Sequence, residues 1–117
     1  MKRGTDEFMR FDFPAAGEPV WISRSTEMPA GLFGLTLLED DRALVWINVN
    51  KSEAEIDLAL LHELRHILHG DHRQRGALDV SAAELRAHKE SELDYAAFLA
   101  GKGGPTVDLL HQWKASA

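Results

Sequence analysis

The stretch that most constrains this chain runs from Ser52 to Gly70, SEAEIDLALLHELRHILHG. Ser52 and Glu55 are spaced as a capping box, and Gly70 stands where a helix would stop. Between them Ile56, Leu60, Leu61, Leu64, Ile67 and Leu68 form one apolar arc at helical spacing. A helix of this kind has to bury that arc, so the rest of the chain must supply a core for it. At about 100° per residue, His62 and His66 fall on the side away from the arc, one turn apart. They must face solvent or a second element that carries polar groups.

The remaining sequence supplies such a core. Val20 to Ser23 reads as a short strand. Leu32 to Leu38 and Ala43 to Asn50 read as a hairpin turned by Glu39, Asp40, Asp41 and Arg42. In the second run Ala43, Val45, Ile47 and Val49 share one face, which predicts an antiparallel strand with one side on the core. A second helix begins at the Ser81/Glu84 capping box and ends at Gly101, with Leu85, Leu93, Ala96, Ala97, Leu99 and Ala100 as its apolar positions. Thr106 to Lys114 predicts a last short helix carrying Leu109, Leu110 and Trp113. The expected architecture is α+β: a small antiparallel sheet, then the histidine helix, then a glutamate-bearing helix. At 117 residues this is one domain, 1–117, with residues 1–19 as an N-terminal arm and 102–117 as a C-terminal tail.

Composition narrows the function classes. A net charge of −6 argues against direct nucleic-acid binding but allows a negative groove that attracts cationic substrates. The chain has no cysteine, so disulfides and thiolate metal sites are excluded. The first residues lack the apolar core of a signal peptide, and no apolar run approaches the ~20 residues of a membrane span. A cytoplasmic protein is the expectation. Single tryptophans near strand and helix ends, Trp21, Trp46 and Trp113, are expected to pack.

Within HELRH, His62 and His66 can converge on one ion, and Glu63 beside them can take a proton from a metal-bound water. Catalytic zinc usually has three protein ligands. The third is open between His72, Glu90 and Glu92. Glu90 and Asp94 share a face with Ala83, Ala87 and Ala97, small residues that admit another helix. That favours Glu90 as ligand, with Asp94 hydrogen-bonded to a ligand imidazole. His69 reads as a helix-end histidine favoured by the dipole.

Three segments, ALVWINVN, DLALLHELRHILHG and ESELDYAAFLA, together with the loop length between the helices, resemble the ImmA/IrrE family of zinc metallopeptidases, a minimal gluzincin-like group. The resemblance covers about residues 32 to 100. It implies a zincin-like fold, Zn2+ as cofactor, His62 and His66 as ligands, Glu63 as catalytic acid/base and a helical glutamate as third ligand. It also implies a protein substrate, a helix-turn-helix transcriptional repressor being the family's usual association. The chain departs from the family in Arg65 for Gly, in Leu93 for Ala, and in AGKGGP where the family ends L-L-M-P.

The expected function is therefore zinc-dependent endopeptidase activity. A strand around Val45 to Val49 would bind extended substrate if it formed a sheet edge. The sequence identifies no oxyanion partner: Tyr95, His88 and His111 are candidates, each of a type that more often serves structure. One alternative is a zinc-stabilised, non-catalytic regulatory or binding module. Another is a metal-free helical interaction domain.

Overall fold

The computed structural model describes residues 7–74 and 79–117. The first six residues of the expected arm and part of the loop between the two long helices lie outside the described residues. The described residues form four strands and three helices: β1 (Met9–Phe11), β2 (Val20–Ser25), β3 (Gly34–Glu39), β4 (Arg42–Asn48), α1 (Glu53–Leu68), α2 (Val80–Leu99) and α3 (Pro105–Ala115). Short 3-10 turns lie at Pro14–Ala16 and Asp71–Arg73.

The sheet order is β1-β2-β4-β3. β3 and β4 form the expected hairpin. Asp40 and Asp41 both take positive φ (52° and 60°), as a two-residue type I′ turn requires, and aspartate tolerates this better than most residues. The sheet is mixed rather than antiparallel, because β2 pairs parallel with β4 while β1–β2 and β3–β4 are antiparallel. The connection after Ser25 carries the chain to the far edge, so β4 returns into the middle. Asn48 anchors that connection: its side chain donates to the Leu32 carbonyl (2.8 Å) and its backbone N–H to that of Phe33 (2.9 Å).

β4 is covered on both faces, not one. Val20, Ile22, Ala43, Val45 and Ile47 pack against the α1 arc of Leu60, Leu61, Leu64 and Ile67 and against Leu109, Leu110 and Trp113 of α3. Leu44 and Trp46 pack on the other face with Met28, Phe8, Trp21 and Leu35. Phe11 and Phe13 are buried in the main core and β1 pairs with β2, so Met9–Phe11 of the expected N-terminal arm is a strand of the sheet. Residues 105–115 likewise are a core helix rather than a tail, tied to α1 by Lys114 on the buried Asp57 (2.9 and 3.0 Å). No described helix is long and apolar enough to cross a membrane.

The two long helices are capped differently. α1 has the full capping box of Ser52 and Glu55. α2 is capped instead by Asp79, whose side chain accepts from Ala82 N–H, and Ser81 lies inside the helix. The side of α2 that packs is Ala83, Ala87, Ser91 and Asp94, while Leu85, Leu93 and Leu99 are exposed. Small residues let α2 lie close along the histidine side of α1.

Candidate metal centre

His62 and His66 stand where the helix period puts them, with their Nε2 atoms 3.1 Å apart. The carboxylate that α2 brings to them is Glu84. Its two oxygens lie 3.0 Å from His62 Nε2 and 2.8 Å from His66 Nε2. Two imidazole nitrogens and one carboxylate oxygen within 4.8 Å of one another can hold a metal ion.

The helix stop shapes the other side of His66. Gly70 takes a left-handed conformation (φ 73°), open to glycine without steric cost, and turns the chain back under α1. The turn places the buried Asp71 2.8 Å from His66 Nδ1. Asp71 also accepts from Arg86. A carboxylate on the far nitrogen fixes the ring and leaves Nε2 for the ion. This donor set fits a divalent metal.

Glu63 is not on the open side. It points toward the sheet and is only 9% exposed. Thr36 on β3 donates a hydrogen bond to Oε1 (2.6 Å). Gly34 lets the strand approach, since a Cβ there would sit 3.2 Å from Glu63 Cγ. Burial pushes the Glu63 carboxyl above the usual carboxylate range. The Thr36 hydrogen bond and the neighbouring His62 and His66 oppose that rise, and the Glu84 charge adds to it.

The other expected ligands are placed elsewhere. Glu90 meets His69 (Oε1 to Nε2, 2.7 Å), not the His62/His66 pair. Asp94 accepts a bidentate hydrogen bond from Arg65 (2.7 Å for both contacts) rather than from an imidazole, and this holds the guanidinium charged. Arg65, where the resembling family has Gly, is thus a clamp between α1 and α2. His72 Nε2 is 3.0 Å from Glu18 Oε2, and Glu92 pairs with His88 (3.3 Å). Tyr95 stacks on Phe98, and His111 contacts the same ring. Of the three expected oxyanion partners, only His88 lines the cleft beside the site.

That cleft has a volume of about 650 Å³, and its walls include Phe33, Thr36, Leu58, Glu84 and His88. β4 lies inside the sheet, so the expected substrate edge at Val45 to Val49 does not exist. The strand beside the cleft is β3, an edge strand. Sequence reasoning missed Asp71 and Thr36, and saw Glu84 only as a cap. The signal for Asp71 was its place directly after the helix-stopping glycine.

Fold and site together define a class: an α+β domain with a His-His-Glu group able to hold a metal ion beside a buried carboxyl. Comparison with protein-family models, with curated proteins and with solved structures gives no match.

Proposed function

We propose that this protein is a zinc-dependent endopeptidase, in which His62, His66 and Glu84 hold the ion. The observation that supports this most directly is the adjacency of that group to the buried Glu63 carboxyl at the floor of an open cleft. Two histidines and one carboxylate form a donor set that leaves a fourth position free, as catalytic zinc needs. When bound, such an ion lowers the pKa of a water and polarises a carbonyl. The chain's own residues do the rest. Thr36 engages Glu63 Oε1, leaving Oε2 to accept a proton and return it to a leaving amine. Asp71 orients His66, and Arg86 holds Asp71. β3 presents edge backbone groups along which an extended peptide can add as a further strand. The resemblance to the ImmA/IrrE family points the same way, and a helix-turn-helix repressor is the protein substrate it suggests.

Elemental analysis and a peptidase assay test the reading together. Wild type is expected to carry about one zinc and to cleave unfolded protein or peptide. Glu63→Gln is expected to keep zinc and lose cleavage by ~10²-fold or more, as for other positioned acid/base groups. Unchanged cleavage in Glu63→Gln, or a wild type that takes up no zinc on reconstitution, would overturn it.

A further inference from the structure

Along the cleft side of α1 the residues read Glu55, Leu58, Ala59 and His62. Facing them are Leu32 and Phe33, which precede β3 and remain 40% and 42% exposed although both are large and apolar. Their position is not loose. The buried Asn48 bonds the backbone carbonyls of both residues, and Lys51 lies over the Phe33 ring at 4.4 Å. The result is a fixed apolar slot directly beside His62 and Glu63.

The charges along the cleft have one sign. Glu55, Glu84 and Glu92 line it, and among the described residues no Lys or Arg does. Lys51, near Glu55, is engaged by the Phe33 ring and the Ala30 carbonyl. Glu55 lies three and four residues before Leu58 and Ala59 of the slot, about 5–6 Å along the helix axis. That is the span of about two residues of extended chain. Glu55 is fully exposed, and one of its oxygens accepts from Ser52 N–H (3.1 Å), which fixes its carboxylate at the helix start.

We infer that the cleft selects extended peptide segments in which a bulky apolar residue fills the slot of Leu32, Phe33, Leu58 and Ala59, and a Lys or Arg about two residues away meets Glu55. The substrate class is then a cationic, apolar-containing segment rather than an acidic one. The inference rests on the peptidase reading for the chemistry after binding, but the slot and Glu55 need no metal.

The test uses a fluorescein-labelled nonapeptide, Ala-Ala-Lys-Ala-Phe-Ala-Lys-Ala-Ala, which places Lys two residues from Phe in both directions. Its binding to metal-free protein is read by fluorescence anisotropy. Replacing Phe by Ser is expected to weaken binding about tenfold, as loss of one large buried apolar group does. Replacing both Lys by Glu is expected to weaken it about two- to fivefold at low salt, the scale of an exposed ion pair. Glu55→Gln is the informative variant, because Gln at this position keeps the capping box while removing the charge. It is expected to shrink the Lys-against-Glu difference, leaving only the contribution of Glu84 and Glu92, and to leave the Phe-against-Ser difference in place. Phe33→Ala should do the reverse. Equal binding of all peptides, or a charge preference that survives Glu55→Gln undiminished, would overturn the inference. The zinc-loaded protein is then assayed for cleavage of the same peptide. Selective binding without cleavage keeps the inference and removes the peptidase reading.

Discussion

Glu84 and Glu90 flank the same buried stripe of α2 from opposite sides. The stripe is Ala83, Ala87, Ser91 and Asp94. Glu84 follows Ala83 and Glu90 precedes Ser91, so at about 100° per residue they diverge, one toward His62 and His66 and the other toward His69. Glu84→Ala is therefore expected to lose the metal and Glu90→Ala to retain it, as read by metal content after dialysis. Asp71→Ala should weaken metal affinity roughly 10–100-fold while leaving all three ligands in place. Gly34→Ala should add a methyl against Glu63 Cγ and Ile47 Cδ1, at 3.2 and 3.3 Å. A cost of about 1 kcal/mol in unfolding experiments and a fall in turnover are expected, since the carboxyl has to move. HELRH was legible because its geometry is local: two histidines four apart on a capped helix meet whatever else the chain does. The third ligand was not. α2 carries Glu84, Glu90 and Glu92 within nine positions, and which of them turns inward depends on how alanines, not glutamates, pack.

The helices differ in how much of their placement their own ends control. α1 is fixed by its core arc and by a reciprocal cap, so Ser52→Ala should cost about 1 kcal/mol, the usual worth of an N-cap, without moving the histidines. α2 has a weaker hold: its buried face is small residues and one aspartate, and Glu84 follows directly on its first turn. Asp79→Ala is expected to fray the first turn, loosen Glu84 next to it and lower metal affinity, whereas Ser81→Ala should do neither. Thermal melts with and without added zinc separate the two effects. The sequence misleads here in a specific way. Ser81 and Glu84 have capping-box spacing, but Asp79 caps first and the helix runs through Ser81, leaving Glu84 free to turn toward the histidines. Leu85, Leu93 and Leu99 are the conspicuous apolar positions, yet the close approach to α1 is possible only on the alanine side.

Across the whole molecule, the α+β architecture, the hairpin and the last helix were readable from alternation and turn residues. The parallel pairing of β2 with β4 was not, because residue alternation is the same for either direction. Nor were the two covered faces of β4 foreseen, since the second cluster is assembled from Phe8, Trp21 and Met28, all distant in sequence. Leu110 is fully buried where α3 meets the sheet and α1, so Leu110→Ala should cost about 2–5 kcal/mol in denaturant unfolding. Acid should also loosen the fold. Arg73 bonds both Glu18 and Asp41 and holds both carboxyls below their ordinary range. With folded pKa values below the unfolded ones, the stabilisation is present above about pH 4 and is lost as pH falls through the lowered values. Arg73→Ala should flatten that acid slope in a melting-temperature profile of the metal-free protein. Last, β3 has one strand neighbour among the described residues, and the Thr36 hydroxyl that steadies Glu63 hangs from it. Amide hydrogen exchange in β3 is expected to outpace that in β2 and β4, because an edge can open without the core. Each such opening frees the glutamate while leaving the histidines and Glu84 in place, so the readiness of the base would follow the breathing of a single strand.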